Sequence, residues 1–322
     1  MSEAVVSFDA LHQVAARLTD NVKRVMVGKE SAIELLLVAL LTESHVLLED
    51  VPGTGKTTMA RALARSMNAS FRRIQFTPDL LPSDVTGLYI YNQKDQEFVF
   101  REGPIQANIL LADEINRATP RTQAALLEAM QERQVTVEGQ TMMLPRPFLV
   151  LATQNPVELE GTFPLPEAQL DRFLMRVSLG YPTESQENEM LLRFERDDPL
   201  SDLQPVVDAA KLLPLQRAVR HVRVEESVRR YIVQVARATR SHDALEVGAS
   251  PRATLALYAA SQALAALRQR EFVIPDDVKY LAPYVLTHRV LISPQTRLRG
   301  RSADEIVLGV VNSVPAPVET VR

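Results

Sequence analysis

Apolar residues recur at Leu11, Val14, Leu18, Val22 and Val25, the spacing of a single buried stripe on a helix. The pattern breaks at Val27-Gly28 and resumes from Lys29 to Leu41 as a second, more thoroughly apolar helix. His45-Val46-Leu47-Leu48 follows as a short run without alternation, which predicts a strand covered on both faces. A Gly-rich stretch comes next, then a helix over Thr57 to Met67 and a strand over Phe71 to Phe76. Leu88-Tyr89-Ile90-Tyr91 and Phe98-Val99-Phe100 flank the polar Asn92 to Glu97, so Gly87 to Phe100 predicts a hairpin. Ile109 to Ala112 is a fully apolar strand that runs into Asp113-Glu114. Thr122 to Gln134 reads as a helix with Ala124, Leu127 and Met130 on one stripe. Val135 to Leu144 predicts a second hairpin around Glu138-Gly139, and Phe148 to Ala152 another buried strand, ending at Thr153-Gln154-Asn155-Pro156.

Buried strands separated by helices imply an α/β fold, a parallel sheet sandwiched by helices. The pattern changes after Tyr181-Pro182 to helices only. These are Glu184 to Arg196, Ser227 to Arg240, Pro251 to Gln269, Asp276 to Thr287 and a short one at Ala303 to Val311. The chain therefore divides into an α/β domain over 1–182 and an all-α domain with a C-terminal tail over 183–322. A length of 322 residues with 46% hydrophobic content is enough for both.

Composition narrows the function. The formal charge is −4, which counts against a partner held mainly through its phosphate backbone. Trp is absent and aromatics are few, so no stacking platform for single-stranded nucleic acid is suggested. The lack of cysteine excludes disulfides, thiolate metal sites and Cys nucleophiles, and it fits a reducing compartment. Met1 to Asp9 carries no Lys or Arg and no apolar signal core. The longest apolar run, Leu35 to Leu41, is too short to span a bilayer. A soluble, cytoplasmic protein without a membrane span is expected.

The chemistry concentrates in two places. Asp50-Val51-Pro52-Gly53-Thr54-Gly55-Lys56-Thr57 matches a phosphate-binding loop except at its first position, where Asp50 replaces glycine. Gly53 and Gly55 let successive backbone N–H groups turn inward around an anion. Lys56 sets a compact positive charge against the β/γ-phosphates, and the Thr57 hydroxyl is suited to Mg²⁺. Thr54 and Thr58 complete the candidate nucleotide contacts. A Gly-rich hairpin or capping turn is the plain alternative, but a strand before the loop and a helix after it favour phosphate binding. Asp113 and Glu114 close an apolar strand, and at the carboxyl end of a parallel strand they face the ligand crevice. Asp113 is placed to hold Mg²⁺, and Glu114 to orient or deprotonate an attacking water. Taken alone, two acids at a strand end are common. After a phosphate loop they indicate a hydrolase, since a nucleotide switch needs only the first of them.

These motifs, with Asn155 after the next strand, Leu170-Asp171-Arg172-Phe173 and Ser250-Pro251-Arg252, stand in the order of AAA+ ATPases. Asp113-Glu114-Ile115-Asn116-Arg117-Ala118, Ala152-Thr153-Gln154-Asn155-Pro156 and Phe163-Pro164-Leu165-Pro166-Glu167-Ala168-Gln169-Leu170-Asp171-Arg172-Phe173 resemble the MoxR family in particular. The resemblance runs from about Val27 to the Pro-rich tail. It implies an AAA+ sheet with two β-hairpin inserts followed by a helical lid, binding ATP or ADP with Mg²⁺. It makes Asn155 the sensor that helps place the attacking water, where the plain alternative is a turn-forming Asn. It makes Arg172 the finger that enters a neighbouring subunit's site, and Arg252 the lid sensor that meets the phosphates. An ordinary surface arginine is the alternative at both. Arg117 and Arg121 are further candidates to reach across a subunit interface. Val27-Gly28 resembles the stretch that packs near adenine. The hairpins would face the pore or upper face of a ring, unless they merely extend the sheet edge. His45, Tyr89 and Tyr91 are read as strand-face residues.

A finger that serves a neighbour implies a homo-oligomeric ring, expected to be a hexamer. The resemblance points to a chaperone-like remodeller that matures client proteins or inserts cofactors or metal, with a separate von Willebrand factor A-type partner. The alternative is a nucleic-acid motor of the MCM-like or restriction type, against which the acidic balance counts. A third reading has ATP binding only assemble a scaffold.

Overall fold

The computed structural model describes residues 8–155, 161–195 and 198–317. Two helices come first, α1 (Phe8–Lys23) and α2 (Glu30–Leu41). The first buries Leu11, Leu18 and Val22 along one stripe, whereas the second is buried nearly all round, as an apolar helix must be. Then follow β1 (Val46–Glu49), α3 (Lys56–Ser66), β2 (Phe71–Gln75), α4 (Pro82–Thr86) and the hairpin β3 (Gly87–Asn92) with β4 (Glu97–Glu102). After β5 (Ile109–Asp113) and α5 (Pro120–Glu132) comes a second hairpin, β6 (Gln134–Val137) with β7 (Gln140–Met143). This half ends with β8 (Leu149–Gln154), α6 (Glu167–Leu170) and β9 (Met175–Val177). The rest comprises α7 (Glu184–Arg193), α8 (Leu212–Val219), α9 (Glu226–Arg240), β10 (Leu245–Val247) and α10 (Pro251–Leu267). It closes with α11 (Pro275–Leu286), β11 (Leu291–Ile292), α12 (Pro294–Leu298) and α13 (Ala303–Ser313).

Five strands pair in the order β2-β5-β8-β1-β9, every neighbour parallel. The expected α/β architecture is present, and this order sets the carboxyl ends of β1, β8 and β5 side by side. Strand β9 was not foreseen, because it has three residues and Arg176 interrupts its apolar pattern. Each hairpin forms a two-stranded antiparallel sheet of its own, so neither extends the edge of the main sheet.

Two expectations need correction. The segment after Tyr181-Pro182 is helical but not helices only, since β10 and β11 pair antiparallel. Strands of two or three residues are too short to leave a period-2 pattern. The helix expected to reach Gln134 stops at Glu132, because Arg133 turns left-handed at φ 55° and Gln134 opens β6. Pro156 and Arg196, each the last residue of an expected segment, lie outside the described residues, as do Met1 to Ser7 of the N-terminal reading.

One apolar cluster fills the side of the sheet covered by α1, α2 and α3, and it continues into the helical half. It joins Leu36, Val38, Leu63 and Leu151 to Leu215, Ile232, Leu264 and Leu281. A second cluster, with Phe76, Leu110, Leu126, Phe148 and Phe173, fills the other face.

Candidate active site

The carboxyl edge of the sheet opens on a cleft of about 400 Å³ lined by Asp50, the loop from Pro52 to Thr58, Arg73, Gln75, Asp113, Glu114 and Thr153 to Asn155. Gly53 and Gly55 hold φ of 83° and 91°, a region that costs glycine nothing and a residue with Cβ about 1 kcal/mol or more. Gly55 is the N-cap of α3 and supplies no side-chain acceptor, so the first N–H groups of the helix stay available to an anion. Lys56 Nζ donates to the carbonyls of Asp50 and Val51 at 3.0 and 2.9 Å, which holds the ammonium over its own loop.

Asp50 explains the departure from the glycine pattern. Its buried carboxylate accepts from the backbone N–H groups of Leu179 and Gly180, the latter at 3.0 Å. Buried Lys29 donates to the carbonyls of the same two residues at 2.7 and 2.9 Å. An acid and a base thus clamp the phosphate loop and the start of α2 to the turn that leads into the helical half.

The two acids are held by neighbouring strands. The β2–β5 register sets Gln75 beside Asp113. Thr153 Oγ1 donates to Asp113 Oδ1 at 2.6 Å and accepts the Glu114 N–H at 2.8 Å. Arg73 Nη2 and Nε donate to Asp113 Oδ2 at 2.7 and 3.1 Å. Glu114 adopts φ 55° and ψ 51°, a left-handed conformation whose strain is on the order of 1 kcal/mol. Its Oε2 accepts from Gln75 Nε2 at 2.6 Å and pairs with Arg117 Nε at 3.0 Å.

The metal that the resemblance implies fits these donors. The Thr57 hydroxyl and Asp113 carboxylate are hard oxygens lining one cleft with the phosphate loop. No cluster of three or more His, Cys, Asp or Glu suited to a metal occurs among the described residues. Mg²⁺ needs none, because one or two protein oxygens plus substrate phosphates suffice.

Family models match two stretches of the chain. Residues 45–175 match the ATPase family associated with various cellular activities (AAA), and residues 237–308 match the AAA lid domain. The chaperone MoxR1 of Mycobacterium tuberculosis is 44% identical over 313 residues, covering 92% of this chain and 82% of MoxR1. The chain belongs to the MoxR family of AAA+ ATPases. It is also similar to the uncharacterized protein YeaC of Bacillus subtilis, 53% identical over 309 residues, 96% of this chain and 97% of YeaC. A solved structure of a candidate ATPase from Cytophaga hutchinsonii superposes with a TM-score of 0.90 at 38% identity, covering 97% of both chains.

In this MoxR-family chain the cleft brings together Gly53, Thr54, Gly55, Lys56, Thr57, Thr58, Asp113, Glu114 and Asn155. Val27 and Gly28 are not part of its lining. Val27 is buried, and Gly28 (φ 65°) packs against Gln186 of α7, whose Nε2 would lie 2.0 Å from an added Cβ. Met26 Cε reaches to 3.3 Å from a Cβ built on Gly55, so this segment abuts the phosphate loop. Arg172 and Arg252 also lie off the cleft lining, the first just after α6 and the second exposed in the first turn of α10. Sequence reasoning missed Arg73, Gln75 and Thr153. Their polar side chains inside strands were the available signal, but their contacts depend on register.

Proposed function

We propose that this chain hydrolyses ATP in the cleft and uses the cycle, as a ring-forming chaperone-like remodeller, to mature partner proteins. What carries the reading is the convergence of the phosphate loop, Lys56, Asp113 and Glu114 on one cleft. The loop N–H groups and Lys56 hold the β- and γ-phosphates. Thr57 and Asp113 would hold Mg²⁺, which when bound would supply positive charge against the phosphate oxygens. Asn155 orients the attacking water and Glu114 takes its proton. The water oxygen bonds to the γ-phosphorus while the bond to the ADP oxygen breaks. Arg252 meets the phosphates of its own subunit, and Arg172 offers its charge to the site of the next.

A shared site of this kind requires a closed ring, for which six subunits are proposed. Residues 1–182 serve as the ATPase domain and 183–322 as lid and tail. The name of MoxR1 describes that relative as a chaperone, which supports a client protein; cofactor or metal insertion as the task and a von Willebrand factor A-type protein as the partner rest on the motif resemblance alone. The lack of cysteine fits a cytoplasmic setting. No helix among the described residues is long and apolar enough to cross a membrane.

Two variants test the site. Lys56→Ala is expected to lose binding of a fluorescent ATP analogue. Glu114→Gln is expected to keep binding and to hydrolyse roughly 10²- to 10⁴-fold more slowly, the usual worth of a positioned general base. Normal nucleotide binding by Lys56→Ala would sink the assignment.

A further inference from the structure

Arg172 and Arg252 are eighty positions apart in the chain, yet one carboxylate joins their segments. Asp171 directly precedes Arg172, and its Oδ2 accepts from Ser250 Oγ at 3.0 Å. Ser250 is also the N-cap of α10, its hydroxyl accepting the Ala253 N–H at 3.2 Å, and Arg252 stands in that first turn. The other oxygen, Asp171 Oδ1, accepts from Arg289 Nε at 2.7 Å. Arg289 is buried, and its remaining nitrogens donate to the carbonyls of Asp171, Phe173 and Leu174 at 3.2, 2.5 and 2.8 Å. The backbone on both sides of Arg172 is therefore held by groups from the helical half. Burial lowers the pKa of Arg289 to about 10, and the charge of Arg252 acts in the same direction.

We propose that Asp171, Ser250 and Arg289 form a relay that sets the position of the Arg172 finger according to the phosphates met by Arg252 in the same subunit. The three are positioning residues, because none of them lines the cleft. Attraction of Arg252 toward phosphates moves the N-terminus of α10, and Ser250 moves with it. Asp171 is gripped from both sides and passes the shift to the adjoining finger. A loaded subunit thereby presents its finger correctly to its neighbour. This proposal rests on the reading of Arg172 as an intersubunit finger and of Arg252 as a phosphate sensor.

The test uses the full-length protein with Asp171→Asn, Ser250→Ala, Arg172→Ala and Glu114→Gln. Asp171→Asn is expected to bind the fluorescent ATP analogue within about twofold of wild type. Its hydrolysis rate is expected to fall roughly 10- to 100-fold, the cost of a displaced catalytic group. Mixing it with Glu114→Gln subunits is expected to restore part of the rate, since those subunits offer a well-held finger to intact sites. A merely structural defect would not recover in this way. Ser250→Ala, the milder change, is expected to lower the rate less and to reduce the cooperativity of the ATP dependence. It decides the matter if Asp171→Asn fails to fold. Wild-type rates and cooperativity in both relay variants, beside a strongly impaired Arg172→Ala, would overturn the relay and leave the finger standing. Recovery on mixing for Arg172→Ala but not for Asp171→Asn would also overturn it. A wild-type rate in Arg172→Ala itself would remove the finger reading, and the relay with it.

Discussion

His45 precedes β1 and is buried, with Nδ1 accepting the Val150 N–H at 3.0 Å and Nε2 placed 3.0 Å from the Met130 carbonyl. That pairing assigns the proton to Nε2 of a neutral ring. Phe148 packs edge-on against it with ring centroids 5.4 Å apart. Burial, reinforced by the charge of Arg133, pulls its pKa from 6.5 down to about 4. Burial, and then the adjacent Arg289 charge, push buried His288 well below its ordinary value as well. In both cases the folded value lies below the unfolded one, so the unfolded chain binds more protons in mild acid. The stability contributed by the neutral rings is complete above pH 6.5 and is lost as pH falls below it, for His45 over the range down to about 4. For His45 alone the loss is on the order of 3 kcal/mol across that window. The melting temperature should therefore drop steeply between pH 6.5 and 4.5. A His45→Gln variant, less stable at pH 7, should show a flatter profile. Equal slopes for the two proteins would show that His45 does not titrate as a buried neutral group.

At the scale of elements, the first hairpin stands on a pinched base. A Cβ on Gly103 would lie 2.3 Å from the Val85 carbonyl and 2.4 Å from the Gly87 nitrogen, and Gly87 itself holds φ 97°. Only backbone fits there, so the approach of the two strands fixes how the hairpin leaves the body. Tyr89–Phe100 and Tyr91–Phe98 ring pairs, each with centroids 5.3 Å apart, stiffen one face. Tyr89 bonds to Gln140 of the second hairpin. Gly103→Ala should therefore loosen the hairpin without touching the cleft. Limited proteolysis with chymotrypsin should cut faster at Tyr91 and Phe98 while nucleotide affinity stays unchanged. Protection equal to wild type would mean that the base can relax around a methyl group. The hairpins were legible in the sequence because a polar turn between two β-rich runs is a local signal. Their separation from the main sheet was not, since strand partners are chosen in three dimensions. The same division holds for the site. Gly53 to Thr57 and Asp113-Glu114 are contiguous and readable. Arg73 and Gln75 reach the acids only through the β2–β5 register, and Asp50 reaches Leu179 and Gly180 across some 130 residues. Strands β9, β10 and β11 are too short to announce themselves by periodicity.

For the whole molecule the decisive feature is that the apolar core ignores the change of pattern near residue 182. Leu36, Val38 and Leu63 from the α/β half share one cluster with Leu257, Leu264 and Leu281 from the helical half. Polar links cross at the same place. Arg268 near the end of α10 pairs with Glu34 of α2 at 3.0 Å, and Gln216 of α8 donates to the Leu40 carbonyl at 2.7 Å. The Asp50 and Lys29 clamp adds four hydrogen bonds at the connecting turn. Domains joined by a small polar interface unfold separately, whereas a continuous apolar core unfolds as a unit. Calorimetry of the full chain should accordingly show one cooperative transition. Leu264→Ala removes a fully buried side chain on the helical side and should cost about 2–5 kcal/mol. If the core is one, that change must lower the melting temperature of the nucleotide cleft by the same amount as that of the lid. The comparison needs a fluorescent ATP analogue reporting on the cleft and far-ultraviolet circular dichroism reporting on the helices. Coincident curves, both shifted, are expected. A cleft that melts at its wild-type temperature while the helices melt early would show that the lid unfolds by itself and that the shared core is not one cooperative unit.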